Sequence, residues 1–128
     1  MAEKQCILVV DDEESSRVGL SKILEKSGYA VITAQNGKEA IDVLKKNPCA
    51  LVITDMKMPK MSGIQLLKEI KHTTPHVGVI IVTAYGEVDS YLEAMNLGAF
   101  EYLNKPIKVD ELKKVIQKVL DKMETAEA

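Results

Sequence analysis

Five short apolar runs punctuate the chain: Ile7 to Val10, Ala30 to Thr33, Leu51 to Thr54, Val77 to Val82, and Ala99 to Leu103. Each predicts a β-strand. The first, third and fourth are almost continuously apolar and rich in β-branched residues, the pattern of parallel strands covered on both faces. Segments with helical periodicity separate them. Leu20, Ile23 and Leu24 share one face after Ser15 and Ser16, and Gly28 is placed as a left-handed C-cap. Ala40, Ile41 and Leu44 repeat the pattern after "AQNG", with Pro48 just past the end. Ile64, Leu67 and Ile70 follow Ser62, and Val88, Leu92 and Met95 precede Gly98, a second C-cap candidate. In the last stripe Val109, Leu112, Val115, Ile116, Val119, Leu120 and Met123 recur at i, i+3, i+4, and Asp110 and Glu111 suit its N-terminal dipole.

Strand and helix therefore alternate five times, which predicts an α/β layer fold with a parallel sheet and right-handed crossovers. No internal repeat, linker or low-complexity tract interrupts the alternation. One domain over residues 1–124 is expected, with 125–128 as a short polar tail that frays.

Composition narrows the function. A chain of 128 residues, 46% hydrophobic and 28% charged, matches a globular domain that buries about two-thirds of its unfolded surface. Lys and Arg (17) are interspersed with Asp and Glu (19), so no nucleic-acid footprint forms and no direct nucleic-acid partner is expected. No apolar run reaches membrane-spanning length, and the polar start "MAEKQC" is unlike a signal peptide. A cytoplasmic location without a membrane partner is the expectation. Cys6 and Cys49 have neither metal-ligand nor CxxC spacing and read as small apolar residues near strand starts. If those strands are neighbours the thiols lie close together, and a reducing compartment keeps them free. Met56, Met58 and Met61 in "DMKMPKM" read as gap-fillers around a loop, and His72 and His76 in "KHTTPH" as surface residues.

The chemistry sits at the strand ends. In open parallel sheets, ligands bind outside the carboxyl ends of the strands. Asp11 and Asp12 stand at the end of the first strand, Asp55 at the third, Thr83 at the fourth, and Lys105 just past the fifth. Crowding "DDEE" after a buried strand is costly, since two carboxylates about 4 Å apart oppose each other by about 4 kcal/mol at an effective dielectric near 20. A hard divalent cation offsets that repulsion, and Mg²⁺ uses one or two protein carboxylates while keeping several waters. Asp12 and Asp55 are the candidate direct ligands, Asp11 a ligand through water, and a backbone carbonyl near Lys57 completes the sphere. Glu13 and Glu14 suit the first turn of the next helix. The plainer alternatives make Asp55 a helix N-cap or turn residue before Pro59, Thr83 a β-branched strand residue, and Lys105 a solvent-facing loop lysine.

The ordered set "VVDDE", "TDMKMPKMSG", "IIVTAYG" and "EYLNKPI" resembles the receiver domain of two-component response regulators along essentially the entire chain. The resemblance implies a flavodoxin-like, five-stranded parallel sheet in the order 2-1-3-4-5 with five helices on both faces. It implies that Asp55 takes a phosphoryl group from a sensor histidine kinase with Mg²⁺, and that Lys105 and Thr83 read the modification. Thr83 and Tyr102 are the implied switch residues, although Tyr102 also reads as an edge aromatic packed on the last helix. The implied output surface is the fourth helix, fifth strand and fifth helix, roughly Val88 to Met123, through which a downstream domain or protein, or a phosphorylation-dependent homodimer, is engaged. A cis Lys105–Pro106 bond is also implied. Lys57 and Tyr85 flank the route of a hydrolytic water and are expected to slow loss of the phosphoryl group. Kinase choice is assigned to Arg17 through Leu24.

Such a protein is no enzyme beyond self-phosphorylation from a donor and slow self-dephosphorylation. "VTAYG" with the lysine-rich last helix is similar to receivers of NtrC-like transcriptional activators, so a stand-alone domain and the N-terminal module of a DNA-binding regulator both stand. Three rivals fit less well. An acidic loop after the first strand repels a flavin phosphate. An aspartate-nucleophile phosphatase expects a second Asp where Glu13 stands. The GxxxxGK[ST] loop of nucleoside triphosphatases is missing.

Overall fold

The computed structural model describes residues 5–84 and 88–127. The five apolar runs become β1 (Cys6–Val10), β2 (Ala30–Ala34), β3 (Leu51–Asp55), β4 (Gly78–Thr83) and β5 (Glu101–Asn104). Between and after them lie α1 (Glu14–Lys26), α2 (Gly37–Lys46), α3 (Gly63–Thr73), α4 (Val88–Asn96) and α5 (Val109–Glu127). All strands are parallel, in the order β2-β1-β3-β4-β5. The fold expected from the resemblance is therefore the observed one.

Alternation of side chains across the pleat divides the core in two. Leu8, Val10, Val52, Val79 and Ile81 face one layer with Ala40 of α2, Leu66, Leu67 and Ile70 of α3, and Ala94 of α4. Ile7, Val9, Leu51, Ile53, Ile80 and Val82 face the other, against Leu24 of α1 and Leu112, Ile116 and Val119 of α5. Central strands buried on both faces explain why β1, β3 and β4 read as unbroken apolar runs.

Local chemistry sets the helix ends. Asn36 accepts the Glu39 N–H at 2.9 Å as N-cap of α2. Ser62 and Gln65 form a reciprocal capping box at α3, with bonds of 3.2 and 2.9 Å. Gly28 takes φ +98° after α1, the left-handed geometry expected of it. Most strand ends shift by a residue from the sequence reading, and three departures have a local cause. Gly98, at φ +103°, closes α4 with the Ala99 N–H donating to Ala94 O, so Ala99 belongs to the turn and β5 begins at Glu101. Val77 precedes β4, its N–H donating to Thr74 O. Helix α5 continues to Glu127, through residues assigned to a fraying tail, because nothing in "DKMETAE" breaks helical propensity.

Candidate functional site

The register delivers the polar residues to one edge. Val10 pairs with Thr54, Asp55 with Val82, and Thr83 with Asn104, so the loops after β1, β3, β4 and β5 emerge side by side. Carboxylate oxygens of Asp11, Asp12 and Asp55 lie within 4.8 Å of one another. Asp11 is buried, Asp55 half-buried and Asp12 exposed. Lys105 reaches between two of them, its Nζ 3.4 Å from Asp11 Oδ2 and 3.6 Å from Asp55 Oδ2.

Each group is held from behind. The Glu13 N–H donates to Asp11 Oδ1 at 2.9 Å, and Arg17 Nη1 donates to Asp11 O at 2.8 Å, bracing the β1–α1 loop. Asp55 Oδ1 accepts the Met56 N–H at 2.7 Å, and the Lys57 N–H also donates to this carboxylate. The Lys105 N–H donates to Thr83 O at 2.8 Å, tying the β5–α5 loop to the end of β4. The bond between Lys105 and Pro106 is cis, as the resemblance implies. Thr83 is fully buried at the strand terminus.

Burial pushes the Asp55 carboxyl above the usual carboxylate range; Lys105 and the Met56 and Lys57 N–H groups pull it down, Asp11 adds to the rise, and the net is upward. Burial alone would lower the Lys105 ammonium, yet the attraction of Asp55 and Asp11 outweighs it and its pKa is raised. The asymmetry follows from charge counting, because one ammonium faces two carboxylates. The site is thus short of positive charge. Three hard oxygen donors at this spacing suit Mg²⁺, Ca²⁺ or Mn²⁺ and not a soft or nitrogen-seeking metal.

The other acids of "DDEE" play the helical part expected of them. Glu13 is the N-cap of α1 and Glu14 its first residue. Glu13 accepts the Ser15 and Ser16 hydroxyls at 2.8 and 3.0 Å, which hold its exposed carboxyl below the usual range.

Tyr102 belongs to the core layer of α2, α3 and α4, on the other side of the sheet from the α5 cluster, and its ring stands edge-on to Tyr91 of α4, centroids 5.6 Å apart at 87°. Its hydroxyl is buried with no hydrogen-bond partner among the described residues. Tyr85 lies outside the described residues. Lys57 is exposed two residues beyond Asp55.

Sequence reasoning gave no role to Gly63. A Cβ there would sit 2.5 Å from Asp55 O and 2.9 Å from Met56 Cα, and the Gly63 N–H donates to Met56 O at 2.8 Å. The loop from β3 folds back onto its own strand end only because position 63 lacks a side chain. Met56 and the partly buried Met58 and Met61 fill that loop against the core, as expected.

The model of the response regulator receiver domain matches residues 7–117. The chain belongs to the response regulator receiver family. This receiver is 41% identical over 114 residues to sporulation initiation phosphotransferase F of Bacillus subtilis, covering 89% of this chain and 92% of that protein. It is 41% identical over 118 residues to the transcriptional regulatory protein ZraR of Klebsiella oxytoca, covering 92% of this chain and 27% of that one. It thus spans nearly all of one relative and about a quarter of the other. A receiver domain protein from Clostridium thermocellum superimposes with a TM-score of 0.91 at 40% identity, covering 95% of this chain and 98% of that one. Among the described residues, no helix of the receiver is long and apolar enough to cross a membrane.

Proposed function

We propose that Asp55 accepts a phosphoryl group from a sensor histidine kinase and that the modification resets the α4-β5-α5 surface. One observation carries the reading: the Asp11, Asp12 and Asp55 carboxylates converge within 4.8 Å while Lys105 bridges Asp11 and Asp55. Asp12 and Asp55 would hold Mg²⁺, with Asp11 acting through water and the Lys57 carbonyl completing the sphere. The bound cation would neutralise charge between the carboxylates and the anionic donor.

The chain's own groups do the rest. A carboxylate is a modest nucleophile, and burial, by raising the basicity of Asp55, strengthens it. An Asp55 oxygen attacks phosphorus, the P–O bond forms as the donor's P–N bond breaks, and the departing imidazole keeps the electron pair and takes a proton. The Met56 and Lys57 N–H groups fix the carboxylate's orientation. Lys105 shifts from the two aspartates to an oxygen of the new group, and Thr83 turns its hydroxyl toward it.

The switch follows from the sheet. Tyr102 pairs with Ile81, two residues before Thr83, so pleat parity puts Thr83 and Tyr102 on one face. A buried, unpartnered phenol costs about 1–3 kcal/mol, which water would return if the ring moved outward. Tyr102 is therefore poised between two positions, and Tyr91 and Leu92 on α4, 42% and 51% exposed, offer the apolar surface that an output partner would read. The kinase would approach past α1, where a cavity of about 220 Å³ runs from Asp55 and Lys105 along Leu20, Ile23 and Ile107. A second reading, the same receiver as a module of a longer transcriptional regulator, rests on the similarity to the ZraR receiver and uses the same chemistry.

Incubation with acetyl phosphate and Mg²⁺ tests the reading by intact mass. A gain of about 80 Da in the native chain and none in Asp55→Ala is expected. No gain, or a gain undiminished in Asp55→Ala, overturns it, and continuous release of phosphate points to a phosphatase instead.

A further inference from the structure

We propose that Cys6 and Cys49 form a modification site in which a hydroperoxide joins the two thiols as a disulfide, stapling the start of β1 to the segment entering β3. Their Sγ atoms are 3.0 Å apart, in hydrogen-bond contact. The backbone around them is pinned: the Ala50 N–H donates to Cys6 O and the Ala30 N–H to Gln5 O, each at 3.0 Å, and the β1–β3 ladder continues at Ile7 and Leu51. The register sets Cys49 one residue off the position level with Cys6, a diagonal of about 6 Å between strands about 4.8 Å apart, inside the Cα separation of about 4.4–6.8 Å that a disulfide spans. Forming the bond therefore needs about 1 Å of sulfur movement and no strand displacement. Both side chains face the layer containing α2 and α3. The pair sits at the amino ends of the strands, opposite Asp55, and the phosphoryl chemistry makes no use of it.

The environments of the thiols assign the order of events. Cys49 is 5% exposed, and burial together with the Cys6 contact pushes its thiol up to about 12, so it stays protonated. Cys6 is only half-buried and meets the oxidant first. Its thiolate attacks a peroxide oxygen; the S–O bond forms as O–O breaks, and the released oxide takes a proton to leave water or an alcohol. Cys49 sulfur then attacks the Cys6 sulfenic acid; the S–S bond forms as S–O breaks, and the displaced hydroxide leaves as water with the Cys49 proton. Two thiols lose two electrons and one hydroperoxide is reduced. The staple closes a loop between residues 43 apart, enclosing α1, β2 and α2, and by limiting the unfolded chain it should raise the unfolding midpoint by roughly 5–10 °C.

The test treats the full chain with hydrogen peroxide, alkylates it in denaturant with iodoacetamide, and reads intact mass, a non-reducing peptide map and the melting curve. Expected are a loss of about 2 Da with no alkyl group added, a cross-linked Cys6–Cys49 peptide, a higher midpoint, and reversal by dithiothreitol. Under the same dose Cys49→Ser should gain about 16 Da or more at Cys6, while Cys6→Ser should keep Cys49 alkylatable. Oxygen addition to the native chain without the cross-link overturns the proposal. So do two free thiols surviving a dose that oxidises Cys49→Ser, and a disulfide formed only between chains.

Discussion

The two edges of one sheet make a sharp contrast. At the carboxyl edge Asp11, Asp12 and Asp55 crowd together and a single ammonium, Lys105, faces two of them at 3.4 and 3.6 Å. At the amino edge the polar groups satisfy one another: the Cys6 and Cys49 thiols are in contact, and Lys71 Nζ donates to Val77 O at 3.1 Å. Burial lowers the Lys71 ammonium, but its charge has carbonyls to meet it. Among the described residues these amino-edge groups are partnered within the fold, and the carboxyl edge holds more negative charge than Lys105 neutralises. The surplus is what makes the carboxyl edge the candidate ligand site.

Breaking the surplus should have the largest effect. Replacing both Asp11 and Asp12 by Ala should weaken Mg²⁺ binding by about 100-fold or more, measured by titration calorimetry. A pair of glycines then tests how rigidly each edge is built. Gly63→Ala drives a Cβ into Asp55 O and Met56 Cα, backbone atoms that cannot yield, and should cost about 2–4 kcal/mol in urea unfolding. Gly78→Ala, at the other edge, meets Val119 Cγ1, a buried β-branched side chain of α5 with one favoured rotamer, and should cost about 1–3 kcal/mol.

Neutralising one acid should stabilise. Because the folded pKa of Asp55 is raised, its penalty is missing below the unfolded value of about 3.9 and complete above the folded one. Asp55→Asn in EDTA at neutral pH should therefore melt roughly 2–5 °C higher than the native chain. The amino edge gives the smallest effect and the opposite pH window. With the Cys49 thiol raised to about 12, the unfolded chain ionises first as pH climbs above about 8.5. The advantage of the native chain over Cys49→Ser should then shrink from pH 8 to pH 10, by at most about 1.4 kcal/mol per pH unit, as read by urea unfolding.

Much of this was legible in the residues, for identifiable reasons. Buried parallel strands need unbroken β-branched runs, so "ILVV", "LVIT" and "VIIV" declare themselves, and the residue ending each run necessarily reaches the carboxyl edge. That is why Asp11, Asp12, Asp55, Thr83 and Lys105 stand out in the sequence alone. Features that depend on a chain returning upon itself stayed hidden. Gly63 matters because the loop folds back onto Asp55, and Arg17 because its guanidinium turns to Asp11 O, contacts with no local signal. The partner of Tyr102 proved to be Tyr91 because the Gly98 turn carries α4 over β5.

The carboxyl edge carries a surplus of negative charge that a divalent cation would neutralise. The most direct measurement is the unfolding midpoint as Mg²⁺ is titrated into the native chain, Asp12→Asn and Asp55→Asn. The midpoint of the native chain should climb with Mg²⁺, gaining about 2.7 kcal/mol of stability at a hundred times the dissociation constant, and both variants should respond only at far higher concentrations. A native midpoint that ignores Mg²⁺, or variants that respond as the native chain does, would contradict it.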